Sequence, residues 1–232
     1  MINADLHLHS CLSPCADDDA SPFDLIGMAK LNGLDLIALT DHNSAKNCPA
    51  AALAANEYDI GFIPGTEINT AEEVHCVCLF PTVTLAMAFD EALDPLRPGL
   101  KNKPDIFGYQ RIVHADGTIE EEPDLLIPAL GISILDLPVM VKEYSGLIWP
   151  AHVDRDAFGL FAMLGVWPKN FKADAAEIRF CDPGGIPIDL KRITASDAHR
   201  LKDMPEGGFP LPLETPDFHG LEKYLRSGRV GE

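Results

Sequence analysis

Nowhere does the sequence run apolar long enough to cross a bilayer, no glycine-rich phosphate loop opens any of its helices, and basic residues are half as frequent as acidic ones. The first absence argues against a membrane-spanning helix, and no membrane partner is expected. Met1 to Asp5 carries neither a basic stretch nor an apolar one, so no secretory leader is read there and a cytoplasmic location is expected. The second absence argues against an open dinucleotide- or triphosphate-binding sheet. The third concerns partners. The 18 Lys and Arg against 36 Asp and Glu give a formal net charge of −18, and such a chain lacks the basic stripe that neutralises a run of phosphates. Extended duplex nucleic acid is therefore not expected, and a small phosphorylated substrate is. Divalent ions held in the molecule would offset part of the charge and attract an anion locally. Six cysteines without a leader are read as reduced thiols, each by default a small buried hydrophobe.

With 232 residues, 47% of them hydrophobic, the chain has material for one full core, and a single domain over residues 1–232 is expected. Asp5–His9, Leu34–Thr40, Ile60–Pro64, Val74–Phe80, Gly146–Pro150, Ala176–Phe180 and Arg192–Ser196 read as strands. Ser21–Lys30 reads as a helix, with a serine cap, proline at the first helical position and Asn32-Gly33 as its stop. Asn47–Asn56, Ser133–Tyr144 and Gly220–Ser227 read as further helices. Strands alternating with helices at this spacing predict parallel βα units closing into a barrel. Residues 94–128 break the rhythm: they are rich in proline, glycine and charge, with a turn at His114-Ala-Asp-Gly117, and predict a hairpin-bearing insertion. It would form a lid over the site, with Tyr109 or Arg111 reaching a base or sugar, or else a decorated loop.

The positions of the histidines carry the chemistry. His7 and His9 lie two apart on an extended segment, so their imidazoles share a side and can grip one ion. An H-x-H pair alone is modest evidence. The other strand ends, however, also terminate in ligand-type residues: Asp41-His42, Glu67, His75, His152, and Asp197 with His199. A parallel barrel gathers its active-site groups at these carboxyl ends. Such a crowd of imidazoles and carboxylates in one mouth is costly without a cation. The mixed N and O donors suit Zn²⁺, Mn²⁺ or Fe²⁺.

The motifs Asp5-Leu-His7-Leu-His9-Ser10, Leu39-Thr-Asp41-His42, Gly65-Thr-Glu67, His75, Ala151-His152 and Ser196-Asp197-Ala-His199 resemble, in order and along most of the chain, those of the PHP (polymerase and histidinol phosphatase) family. The resemblance implies a distorted (β/α)7 TIM-like barrel, a hydrolase of phosphate esters, and two to three divalent transition-metal ions. It implies His7, His9, Glu67 and Asp197 on the first ion, Glu67, His75 and His152 on the second, and His42 and His199 on the third. His199 and Asp41 are assigned catalytic roles, Asp41 as an orienter of ligating imidazoles. The third ion needs a further ligand shortly after the H-x-H pair. Cys15 fits a count forward from His9, and Asp17 a count back from Ser21-Pro22. Asp17 is preferred because a hard carboxylate matches the other ligands, and Asp18 is a lesser candidate. A soft-metal site of Cys11, Cys15 and Cys48 has no zinc-ribbon spacing. Arg155 and Arg200 are the substrate-binding candidates, suited to bidentate contact with a phosphoryl group, with Lys202 a further one; His114 and His219 are read as ordinary polar residues.

The resulting expectation is a metal-dependent phosphoesterase acting on a small phosphorylated metabolite or nucleotide. The alternatives are an exonuclease-type phosphodiesterase, an amidohydrolase-type C–N hydrolase and a non-catalytic metal-binding module. Neither the substrate nor the oligomeric state is fixed by the sequence.

Overall fold

The first strand, β1 (Ile2–Leu8), runs the same way as the next two strands of the sheet. These are β2 (Leu36–Leu39) and β3 (Gly61–Asn69), reached through α1 (Pro22–Leu31) and α2 (Cys48–Tyr58). The computed structural model describes residues 1–227; residues 228–232, the end of the expected single domain, lie outside the described residues. α1 starts as its sequence predicts: Ser21 Oγ accepts from Asp24 N at 3.2 Å, and Pro22, which has no N–H to satisfy, opens the first turn.

The parallel rhythm ends at β3. The chain turns back into β4 (His75–Leu79), antiparallel, with Asn69 opposite His75, and β4 pairs antiparallel with β7 (Leu147–Pro150). This corrects the expectation of parallel units throughout. The connection from Thr70 to Val74 is far shorter than the dozen or so residues a parallel crossover needs, and it closes as a tight turn with Thr70 N donating to Val74 O. Between β4 and β7 lie α3 (Val83–Ala92), which the sequence reading missed, α4 (Pro104–Phe107), the hairpin of β5 (Arg111–Val113) and β6 (Ile119–Glu121), and α5 (Leu137–Glu143). The hairpin turns at His114–Thr118, where its sequence signal lies.

After β7 come α6 (Leu160–Leu164), the parallel pair β8 (Ala175–Glu177) and β9 (Lys191–Ile193), β10 (Phe209–Leu211) antiparallel to β1, and α7 (Phe218–Arg226). The main sheet has the order β10-β1-β2-β3-β4-β7. Backbone bonds draw its two sides together around the β8–β9 pair: Val153 N donates to Glu177 O at 2.9 Å, and His9 N to Ala198 O at 3.0 Å. The result is a mixed α/β fold with a curled, half-barrel sheet.

One apolar cluster, with Leu6, Ile63, Val77, Trp149 and Leu221, fills the curl; another, with Leu8, Leu25, Ile26, Ile37 and Phe89, lies under the helices. Leu6 and Leu8 belong to different clusters although they are two apart, and the β1–β2 register shifts between Asp5 and Leu8. This irregularity in β1 turns His7 and His9 towards the inner side, where Glu67 stands four residues beyond Ile63 on the same face of β3. Among the described residues, no helix is long and apolar enough to cross a membrane.

Candidate metal centre

Glu67, 1% exposed, is the hub of the inner mouth. One of its oxygens, Oε1, lies 3.2 Å from His7 Nε2, 3.0 Å from His75 Nδ1 and 3.2 Å from His152 Nε2. The other, Oε2, lies 2.9 Å from His42 Nδ1 and 3.4 Å from His9 Nε2. Asp197 Oδ1 completes the set, 3.4 Å from His7 Nε2 and 3.2 Å from His9 Nε2, and these two nitrogens are 3.1 Å apart. For ligands roughly 2.0–2.1 Å from an ion in a tetrahedron, neighbouring donor atoms are about 3.3 Å apart. The contacts of His7 and His9 with each other, with Asp197 and with one Glu67 oxygen each thus already fall near that edge length. His9, His42 and His199 form a second close group, and His42, Glu67 and His75 a third.

Backbone geometry at the strand ends aims these side chains. Glu67 N donates to Asp41 O and Asn43 N to Glu67 O, which locks the end of β2 against β3. His152 and Asp197 both have positive φ, 28° and 51°, at a cost of about 1–3 kcal/mol each for residues with a Cβ. Local contacts hold them there: His152 N donates to Glu177 Oε1 at 3.2 Å, and Ala198 N to Ser196 Oγ at 3.1 Å.

The protonation pattern shows the strain of such crowding. Burial acts against ionisation of Glu67, yet the imidazoles of His75, His7 and His42 hold it well below the usual carboxylate range. Burial, followed by the charges of His199 and His42, pushes His9 well down, the neutral state a ligand requires. Burial also opposes charge on His7 and His42, but carboxylates win: Glu177, Glu67 and Asp197 raise His7 well above its ordinary value, and Glu67 with Cys15 raises His42 to about 10. Glu67 Oε2, His75 Nε2, His152 Nδ1 and Asp197 Oδ1 are buried without a well-aligned hydrogen bond. Of these, Glu67 Oε2 and Asp197 Oδ1 stand at coordination spacing among imidazole nitrogens, and a divalent transition ion satisfies such a mixed N and O set. The cluster fits such ions.

Residues 5–116 match the family model of the PHP domain. The first half of the chain thus resembles a PHP domain. Over 102 residues it is 33% identical to a 3',5'-nucleoside bisphosphate phosphatase of Chromobacterium violaceum, covering 44% of this chain and 33% of that one. Over 97 residues it is 35% identical to a 5'-3' exoribonuclease of Haemophilus influenzae, covering 38% and 34%. The matched parts thus span about a third of these relatives' length. In fold it resembles endonuclease Q of Pyrococcus furiosus, with a TM-score of 0.71 at 17% identity over 98% of this chain and 56% of that one. A further endonuclease Q structure, with TM-score 0.69 and 16% identity over 98% and 57%, holds a 27-mer duplex with an abasic lesion at its active site.

That complex corrects the inference drawn from net charge. A protein in which a fold like this chain's makes up just over half holds duplex DNA, so the overall charge of −18 is no ground for excluding it. The physical reason is that phosphate binding follows the local field at the mouth, not the sum over the surface.

The structure gathers His7, His9, His42, Glu67, His75, His152, Asp197 and His199 in one mouth, but not Asp17. Asp17 N donates to His199 O, while its carboxylate turns outward, half exposed, to Arg200 Nε at 3.4 Å. Cys15 lies on the same loop, near the imidazoles of His42 and His199. Burial raises its thiol, but these two imidazoles outweigh burial and bring it down to about 6. Asp18 pairs with Arg111 at 3.0 Å, away from the cluster, and Cys11 and Cys48 are buried separately. Arg155 reaches the mouth and pairs with Asp197 Oδ2. Arg200, paired with Asp17, sits on the rim.

Two supporting residues escaped the sequence reading. Glu177 is fully buried, and both its oxygens lie 3.1 Å from His7 Nδ1. Ser13 links Asp41 to the ligands: its hydroxyl donates to Asp41 Oδ1 at 2.7 Å, lies 3.0 Å from His9 Nδ1 and accepts from His42 N. Asp41 acts on His9 through this serine. Glu177 had a faint signal, an acid within the predicted strand Ala176–Phe180; Ser13 had none.

Proposed function

We propose that the mouth is a di- or trinuclear metal centre and that the chain hydrolyses a phosphate ester of a nucleotide unit, free or within a nucleic acid. The observation that carries this reading is the Glu67 carboxylate, with its two oxygens divided among five imidazoles and Asp197 closing the set at coordination distances. The reading takes the curled sheet with its β8–β9 pair as a distorted (β/α)7 barrel, its site at the carboxyl ends of the strands. Divalent ions in the site supply Lewis-acid stabilisation of phosphoryl oxygens and lower the pKa of water.

The chain's own residues do the positioning. Glu177 fixes the ring of His7 and Asp41, through Ser13, that of His9, so that each presents Nε2 to the centre. Arg155, 41% exposed and paired with Asp197, exchanges part of that contact for a phosphoryl oxygen, which its planar fork suits. The named relatives support the substrate class, since a nucleoside bisphosphate, an RNA strand and a damaged duplex all present phosphate esters on nucleotide units.

The test is a panel of a nucleoside 3',5'-bisphosphate, a 5'-phosphorylated single strand and an abasic duplex, given to metal-loaded protein. Release of phosphate or nucleotide from at least one of them, abolished in Glu67→Gln, is expected. Turnover of none, or equal turnover in Glu67→Gln, overturns the reading.

A further inference from the structure

The loop that leaves β7 begins and ends on His75. Ala151 N donates to His75 O at 2.9 Å, and His75 N donates to Phe158 O at 3.0 Å. Between these bonds the loop carries Arg155 and also His152, which shares Glu67 Oε1 with His75. Asp154 pins the loop to the segment after β8, its carboxylate accepting from Arg179 N at 2.8 Å and from Phe180 N at 2.6 Å. Gly159 lets it close on itself: a Cβ there would lie 2.4 Å from Arg155 O and 3.0 Å from His152 O.

Phe158 is not placed for core packing. Its φ is +58°, a left-handed conformation that a glycine or asparagine takes far more readily than a residue with so large a side chain. Among the described residues it belongs to none of the three apolar clusters, so burial in the core does not offset that strain. Its half-buried ring lies flat on the imidazole of His75 instead, with centroids 4.5 Å apart and planes 15° from parallel. Phe158 thus holds His75 twice, by its carbonyl oxygen and by its ring. Backbone strain that the core does not require gathers at functional sites, and here it turns an aromatic ring onto a candidate ligand.

We infer that Phe158 is a positioning residue for the ion assigned to Glu67, His75 and His152. Its ring fixes the tilt of His75, so that His75 Nδ1 and His152 Nε2 stay on the same Glu67 oxygen, and it covers one face of the imidazole against water. The inference rests on the metal reading above and adds a residue outside the ligand set. Leucine at this position keeps the backbone strain and loses the flat ring, tyrosine keeps both, and glycine loses both.

The test begins with the metal-stripped full chain. The ring protons of His75, assigned by their absence in His75→Gln, should lie upfield in wild type and Phe158→Tyr through the ring current of the stacked aromatic, and should move downfield in Phe158→Leu. Chelator-competition titration with Zn²⁺ follows. The step lost in His75→Gln should weaken by about 10–100-fold in Phe158→Leu and return in Phe158→Tyr, with the other steps unchanged. Phe158→Gly separates positioning from folding: freed of strain, it should melt no lower than Phe158→Leu when stripped, yet bind that ion no more tightly. Ring protons that stay in place in Phe158→Leu, or a His75 step of full strength there, overturn the inference and leave the metal centre standing. Equal weakening of every step, with a lower melting temperature of the stripped protein, assigns Phe158 to folding and also overturns it. Absence of Zn²⁺ uptake by wild type overturns the metal reading itself, and this inference with it.

Discussion

Glu177→Gln separates a metal-orienting role from a merely structural one. The substitution keeps volume and shape, and the residue is fully buried, so the packing around it is preserved. In the wild type both carboxylate oxygens accept: Oε1 takes His152 N at 3.2 Å, and both lie 3.1 Å from His7 Nδ1. Nδ1 of His7 therefore keeps its proton when the imidazolium gives one up to an incoming ion, and Nε2 is the atom left with a lone pair, beside Glu67, His9 and Asp197. A glutamine keeps one oxygen for His152 N and His7 Nδ1 but sets an NH₂ and no negative charge in place of the second. The hold on the Nδ1 proton weakens, and with it the preference for the tautomer that leaves Nε2 its lone pair. Outer partners of this kind are worth about 10–100-fold in metal affinity, or roughly 1.4–2.7 kcal/mol. Chelator-competition titration with Zn²⁺ should show that loss, while the melting temperature of the stripped protein changes little. Wild-type affinity in Glu177→Gln would refute the tautomer argument, and an unfolded variant would show that the carboxylate serves stability instead.

Arg155→Ala should raise KM by about tenfold, the lower end expected for a charge-assisted contact at a half-exposed position, with a smaller change in kcat; an unchanged KM in steady-state kinetics counts against phosphate contact, and Arg155→Lys should not restore it. Gly108→Ala should destabilise the fold by about 1–3 kcal/mol in a denaturant melt, because φ is +97° and the new methyl meets Pro14 O, whereas Gly117→Ala, at φ +81° with open space around it, should cost less. Metal uptake should release protons and strengthen as pH rises towards about 10, because His7 and His42 are held protonated by the carboxylates around them and must deprotonate to ligate. Isothermal titration in buffers of different ionisation enthalpy counts those protons, and uptake independent of pH would contradict the assignment.

The candidate ligands were legible because they sit at the ends of apolar runs, where strand periodicity and the rule that sites gather at carboxyl ends act together. His7, His9, Glu67 and Asp197 meet as that logic implies. The antiparallel turn into β4 was not legible, since an apolar run carries no direction and only the shortness of Thr70–Val74 hinted at it. The choice between Cys15 and Asp17 depended on which way a loop turns. Contacts distant in sequence decide that, namely the backbone of His199 and the docked Gly108. Glu177 serves His7 from 170 positions away. Such pairings belong to the tertiary fold and leave no local pattern. Charge misled for a related reason: a sum over the chain says nothing of the few Å around the mouth.

The central claim is that this mouth binds divalent ions and uses them to cleave phosphate esters. The direct measurement is elemental analysis of the chain after stripping and reloading, with hydrolysis of a nucleotide substrate followed on the same samples. The account predicts about two to three ions per chain, turnover lost on stripping and recovered in step with reloading. Less than one bound ion per chain, or turnover indifferent to chelation, would contradict it.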